Sequence, residues 1–509
     1  MARKGSKPTE SLFQPPAEWP TRLSEWRGLS GKARTWIATI WREKEEYRLQ
    51  AEKNSHNSHK PPSGDRSDAK EKTNAKKKKR RSGKRRRRPG GQKGHPGHLR
   101  PLVPPERVDK HEDHVPPECR RCGRDLGDVE PNPEPLHHQI AEIPEIRPEV
   151  TDHALHRVTC PDCDTTTTAP LPEGVPNSCF GPHLRALVVL LSGRYRISRR
   201  ETVELCRDVF GLSVSVGSVA NFLERASRAL EAPYDEVAAA VKDAPVAYMD
   251  ETGWRQKGKA LHLWILATAI AVLFRIGRRT KDVAQEMLGV DYAGTVVTDR
   301  YAGYVWFPDE RHQVCWAHLM RNFEGLVERG GRAKVIGEAL LDVGGELFKV
   351  WHAYTDGRIR WETMQRRMAS VETRAGELLE DGSTSRNAAT KTLCKSLRKI
   401  ESSLFVFSRI QGIEPTNNIG ERGIRPAVQW RKICFGTQSK DGSHFVERIL
   451  TVVATCRSQK RPLLPYLRDV INAADSGSEI PSLLHAQNDA PRSHGPPSGS
   501  HTTKMKKVG

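Results

Sequence analysis

The chain has 509 residues, of which 36% are hydrophobic and 28% charged, and 83 Lys and Arg against 62 Asp and Glu leave a net charge of +21. That length allows about three or four domains, the low apolar share leaves part of the chain to tails and linkers, and the basic excess points to a polyanionic partner. No segment reaches the roughly 18 apolar residues of a membrane span, the N-terminus lacks a signal-peptide core, and ten Cys make no disulfide scaffold. The expectation is a soluble, cytoplasmic protein with no membrane partner.

Residues 1–60 form an N-terminal helical segment, in which Leu23–Lys53 can present Trp26, Trp36, Ile37, Ile40 and Trp41 as an apolar stripe, weakened by Gly28 and Gly31. Residues 61–105 read as a disordered basic linker. Between Lys76 and Arg100 there are 13 Lys and Arg and no acid. The run Lys76, Lys77, Lys78, Lys79, Arg80, Arg81, Lys84, Arg85, Arg86, Arg87 and Arg88 suits an arm that neutralises DNA phosphates, giving affinity without sequence choice. A solvated charge run or a localisation signal is the plainer alternative.

Residues 106–175 carry Cys119-Arg-Arg-Cys122 and Cys160-Pro-Asp-Cys163. Each CxxC offers two thiolates from one turn, and two such knuckles can close a four-sulfur structural Zn²⁺ site; free thiols or a redox pair are the alternatives. Residues 176–240 look all-helical, and a helix ending at Gly211, an SVS turn and a helix from Gly217-Ser218 suit a helix-turn-helix, or equally an ordinary helical hairpin.

Residues 241–331 begin an α/β core. Pro245–Met249 is a short apolar strand ending in Asp250 before a Gly-containing turn, and Leu261–Phe274 reads as two buried strands joined near Thr268–Ala271. A helix over Thr280–Leu288 and a β-branched strand ending at Asp299 follow, then a strand over Gln313–Trp316 and a helix from Ala317 with His318 and Arg321. If the strands leading to Asp250 and Asp299 are neighbours, their carboxylates meet, and such a pair needs a proton or a divalent cation. Ordinary turn residues are the bland alternative.

Residues 332–407 form a helical insertion, and 408–458 complete the core with Asn417-Asn418 placed to cap a helix whose first turn holds Glu421. Arg422, Arg425, Arg431 and Lys432 follow as ion-pair partners or phosphate contacts. Residues 459–474 form a C-terminal helical segment and 475–509 a disordered tail.

MDETGWR, WILAT with FRIGRRT, VVTDRYAGY, CWAH and PTNNIGERGIRP, in that order, resemble the transposases of insertion-sequence family 66, over roughly residues 89–470. The resemblance implies a DDE enzyme with a ribonuclease-H-like mixed sheet flanked by helices, and it places the catalytic acids at Asp250, Asp299 and Glu421. Those acids would hold two Mg²⁺ or Mn²⁺ ions; double-stranded DNA, as element ends and target, would be the substrate. A homo-oligomer on DNA and small accessory proteins are the implied partners. His318 falls on a CxxH motif, and Gly420 stands where Ala is commoner. A zinc-dependent DNA-binding protein with an unused core, and a nuclease that cuts without joining, are the competing functions.

Overall fold

The computed structural model describes residues 29–37, 39, 40, 44, 101–133 and 135–484; the basic run from Lys76 to Arg88 lies outside them. Of the N-terminal helical expectation, residues 31–37, 39, 40 and 44 are helical, with Trp36 exposed.

A meander of β-branched and aromatic runs builds half of the central sheet. Strands β1 (Arg157–Thr159) and β2 (Thr166–Thr168) form a separate antiparallel pair, and in the central sheet β3 (Val246–Gln256), β4 (Lys259–Ala267) and β5 (Val272–Gly277) pair antiparallel. Lys257 and Gly258, both at positive φ (47° and 78°), form the two-residue hairpin turn that the right-handed strand twist favours. The expected turn at Gly253 is therefore corrected: β3 continues through Asp250, Glu251, Thr252 and Gly253, which pair with Ile265, Trp264, Leu263 and His262. Gly253 instead admits Arg431, whose Nη1 would stand 3.3 Å from a Cβ at that position.

After β5 the chain crosses through helix α5 (Lys281–Leu288) to β6 (Thr295–Thr298), which runs parallel to β3, and then to β7 (His312–Val314), parallel to β6. The order β5-β4-β3-β6-β7 is a five-stranded mixed sheet, consistent with a ribonuclease-H-like core. Strand β7 starts one residue before the expected Gln313, and helix α6 (Trp316–Val327) starts one residue before the expected Ala317.

Strand alternation sends successive residues to two separate cores. Ala247, Met249, Trp264, Leu266 and Val296 pack with the helical domain: α1 (Pro182–Gly193), α2 (Arg199–Phe210), α3 (Val216–Ala229) and α4 (Glu231–Ala240). Tyr248, Leu263, Ile265, Val297 and Val314 pack with α6, with the inserted helices α7 (Gly331–Thr355), α8 (Trp361–Thr384) and α9 (Ala388–Arg398), and with α10 (Asn418–Cys434).

Helix α11 (Lys440–Ser458) closes the β5 edge with side chains. The N–H groups of Ile276, Phe274 and Val272 donate to Glu447 Oε1 (2.6 Å), Thr451 Oγ1 (3.0 Å) and Thr455 Oγ1 (3.1 Å). Four-residue helical spacing thus matches two-residue strand spacing, and the edge offers no free donor row here.

Helix α12 (Leu463–Ser476) lies on α1, and buried Arg185 pairs with Asp475. The expected start of the tail at 475 is corrected by this and by Leu483, which is fully buried and donates its N–H to Glu236 Oε2 (2.8 Å). Between α2 and α3, Gly211 at φ 66° ends one helix and Ser215 caps the next, accepting the Ser218 N–H. Among the described residues no helix is long and apolar enough to cross a membrane.

Candidate active site

Parallel pairing sets Tyr248 opposite Val297. Asp250 follows two residues on within β3, facing with Tyr248 the core beneath α6 and α10, and Asp299 is the first residue past β6, where its charge acts on Asp250. Asp250 Oδ1 accepts the Glu251 N–H and Asp299 Oδ1 the Tyr301 N–H, each at 2.8 Å.

Glu421 enters from the first turn of α10. Its Oε1 lies 3.2 Å from Arg321 Nη2 and 3.4 Å from His318 Nδ1, both on α6. Asn417 is the N-cap residue, yet the expected side-chain cap is absent: Nδ2 donates 2.6 Å to Met249 O, so the side chain ties α10 to β3. A Cβ on Gly420 would meet Asn417 Oδ1 at 2.6 Å, which accounts for glycine there.

Electrostatics concentrate at Asp250. Burial raises its carboxyl well above the ordinary range, and the charges of Glu251, Asp299 and Glu421 raise it further. A group of acids that oppose one another's ionisation in a desolvated pocket, each with carboxylate oxygens to offer, fits a hard divalent cation. Asp250, Asp299 and Glu421 are the acids that would hold it, although among the described residues their oxygens are not gathered within 4.8 Å of one another and Glu421 groups with Cys315 and His318.

Two residues at this centre carry roles that the sequence reading missed. Glu251, whose side chain is 3% exposed, points to the opposite face, accepts from Arg279 Nε (2.8 Å) and Nη2 (2.6 Å), and receives the Tyr304 hydroxyl (2.9 Å). Burial and Asp299 raise its carboxyl, which Arg279 partly offsets. The Arg279 guanidinium also stacks 3.9 Å over the Tyr301 ring. The signal was present in the ETGW and GRRT tetrapeptides, but strand parity assigns it only once β3 is known to run past Asp250. Of the other acids on these elements, Glu447 is committed to the β5 edge and half-buried Glu414 lies near Tyr248.

The cations after Glu421 divide in two. Arg422, Arg425 and Lys432 are exposed, whereas Arg431 is tied to β3, donating to Thr252 Oγ1 (2.9 Å) and Gly253 O (2.8 Å).

The Cys pairs fold alike. Cys119 N–H donates to Arg124 O (2.9 Å) and Cys160 N–H to Thr165 O (3.0 Å), while Gly123 and Asp164, at φ 68° and 53°, return their N–H groups to Cys119 O and Cys160 O. Donated backbone hydrogen bonds lower the Cys119 thiol, and a Thr165 side-chain bond with its backbone N–H lowers that of Cys163. Cys122 and Cys160 complete the two knuckles, each knuckle pairing its own two sulfurs. The structure does not gather all four: the one described group of three or more potential ligand atoms lies elsewhere, at Cys315, His318 and Glu421.

A five-stranded mixed sheet with helices on both faces makes this an α/β protein consistent with a ribonuclease-H-like core. The chain belongs to the IS66 transposase family, whose sequence model matches residues 177–444, more than half of the chain. Residues 22–101 match a second family, described as of unknown function. Two similar curated proteins are the uncharacterized proteins y4qI and y4hP of Sinorhizobium fredii, 24% identical over 344 residues and 23% over 380. These matches take in 60% and 66% of this chain, and span 62% and 67% of the relatives' lengths.

Proposed function

We propose that this chain is a DDE transposase that cuts the ends of its insertion element and joins the freed 3′-hydroxyls to target DNA. The observation that supports this reading is that Asp250, in β3, and Asp299, just past the neighbouring parallel strand β6, lie close enough with Glu421 for the charges of both to act on Asp250. Divalent cations held by these acids would activate the attacking oxygen and stabilise the leaving one in an in-line displacement at phosphorus.

The protein's own groups do the rest. In the first step a water oxygen attacks the phosphodiester at the element end, an O–P bond forms, and the 3′ oxygen leaves as a hydroxyl. In the second, that hydroxyl attacks a target phosphorus in the same site and displaces another 3′ oxygen, so no covalent bond to a Ser or Tyr is needed. Arg321 and His318 orient Glu421, and Asn417 fixes the start of α10 against β3. Arg422, Arg425 and Lys432, exposed along α10, would contact DNA phosphates, and the basic run would add affinity that is independent of sequence. The two knuckles are read as a structural Zn²⁺ element, α2 and α3 as a helix-turn-helix unit, and synapsis of two ends as the work of at least a dimer, with or without accessory proteins.

The test is cleavage and strand transfer on a labelled element end with Mg²⁺. Wild type is expected to cut and join; Asp250→Asn, Asp299→Asn and Glu421→Gln are expected to bind DNA but lose both steps. A fully active Glu421→Gln would remove that residue from the set, and binding without cutting by wild type would favour the DNA-binding reading.

A further inference from the structure

Helix α6 begins with Cys315 as its N-cap residue and carries His318 on its first turn; α10 brings Glu421 from its own first turn. One ligand atom from each, a sulfur, a nitrogen and an oxygen, lies within 4.8 Å of the other two, and His318 Nδ1 to Glu421 Oε1 is 3.4 Å. Cys315 is fully buried and His318 is 8% exposed. Cys315 Sγ already accepts the Asn417 N–H at 3.2 Å, a donor of the kind that steadies a bound thiolate.

The donor chemistry separates this cluster from the acids beside it. Mg²⁺ and Mn²⁺ take oxygen ligands, whereas thiolate with imidazole selects zinc-class ions, and three protein ligands leave a tetrahedral ion one open position. We propose that Cys315, His318 and Glu421 form a binding site for a zinc-class divalent cation, distinct from both Cys knuckles, and that its occupation holds Glu421 where it already stands, beside His318, and keeps it from joining Asp250 and Asp299. The consequence for catalysis rests on the transposase reading; binding of the ion does not. Arg321 would yield its place at Glu421 Oε1 when the ion enters, which makes the site a brake: zinc-class metal in, hard-cation chemistry off.

The test is ¹¹³Cd NMR of the full chain titrated with Cd²⁺, without DNA or Mg²⁺. Sulfur-only and mixed S/N/O environments resonate far apart, so the knuckle cysteines and this cluster are read separately. Wild type is expected to show a mixed-donor resonance that disappears in both Cys315→Ser and His318→Asn, with thiolate-rich signal retained and circular dichroism confirming the fold. Either variant suffices if the other does not fold. No mixed-donor resonance in wild type, or one that survives the substitutions, overturns the proposal. A protein that never cleaves DNA can still show the resonance, and a cleaving protein that lacks it sinks only this inference.

Discussion

Two residues around the acids bear burdens that their side chains alone do not announce. Asn417 is fully buried, holds Met249 O through Nδ2, and has no partner for Oδ1 among the described residues. Gly420 leaves that oxygen its space. Gly420→Ala gains roughly 0.5–1 kcal/mol of helix preference but forces Asn417 aside, and a lost buried hydrogen bond costs about 1–3 kcal/mol. The variant should be less stable by about 1 kcal/mol, read as a lower urea midpoint at unchanged slope. Arg279→Ala would strand buried Glu251. The cost should be about 1–3 kcal/mol, below that of a fully buried pair because Arg279 is 42% exposed. Glu251 has a raised folded-state pKa, so its stability contribution is complete below the unfolded value and is lost as pH rises. Removing Arg279 raises that pKa further, so the defect should be largest at neutral pH and shrink in acid; a defect independent of pH would exclude this account.

At the scale of elements, α11 does the work of a sixth strand without being one. Its three acceptors sit four residues apart, and each read alone is an unremarkable polar residue in a helix. Glu447 is the charged member, and burial pushes its carboxyl from 4.5 up to about 6 although the Ile276 N–H, Arg275 and Arg448 pull the other way. The folded state therefore prefers the protonated form. Stability is complete below about pH 4.5 and falls as pH climbs through about 6, a loss on the order of 2 kcal/mol at 1.36 kcal/mol per unit. Glu447→Gln keeps an acceptor and discards the charge. Its unfolding free energy should match wild type near pH 4 and exceed it by about 2 kcal/mol near pH 7; parallel curves across that window would show that the carboxyl is not the titrating group. The same elements show what the sequence could and could not disclose. The apolar runs marked β4 and β5 with their turn at Thr268–Ala271, because burial and β-branching are local properties. The end of β3 was misplaced because Gly253 resembles a turn residue, whereas its reason is the approach of Arg431 from a helix 178 residues away in sequence.

For the whole molecule, one sheet separates two cores, and the candidate chemistry lies on the face shared with α6, the insertion and α10. The three acids stand out in the sequence through their motifs, but the approach of Asp299 to Asp250 depends on the parallel register of β3 and β6, which no local pattern encodes, and Glu421 lies instead in the ligand group of Cys315 and His318. Residues 475–484 misled for the same reason: a polar segment is held by the distant partners Arg185 and Glu236. Basic charge is concentrated in one run of the sequence. Lys76–Arg88 contributes 11 Lys and Arg with no acid, and it precedes every residue of the two cores. On the proposed function, such a run would act on DNA by counterion release, about 0.9 of a unit in the slope of log affinity against log salt for each phosphate neutralised. Deleting residues 76–88 should therefore flatten that slope by several units and weaken binding to all duplexes alike. Preference for the element's own ends should persist, since phosphate contacts carry no sequence information. The thermal unfolding midpoint should stay where it is, because the core side chains among the described residues all come from other parts of the chain. Fluorescence anisotropy with end-sequence and scrambled duplexes across a salt series separates the cases: an unchanged slope would assign DNA contact to Arg422, Arg425 and Lys432 beside the acids, and a loss confined to end-sequence DNA would make the arm a reader of bases.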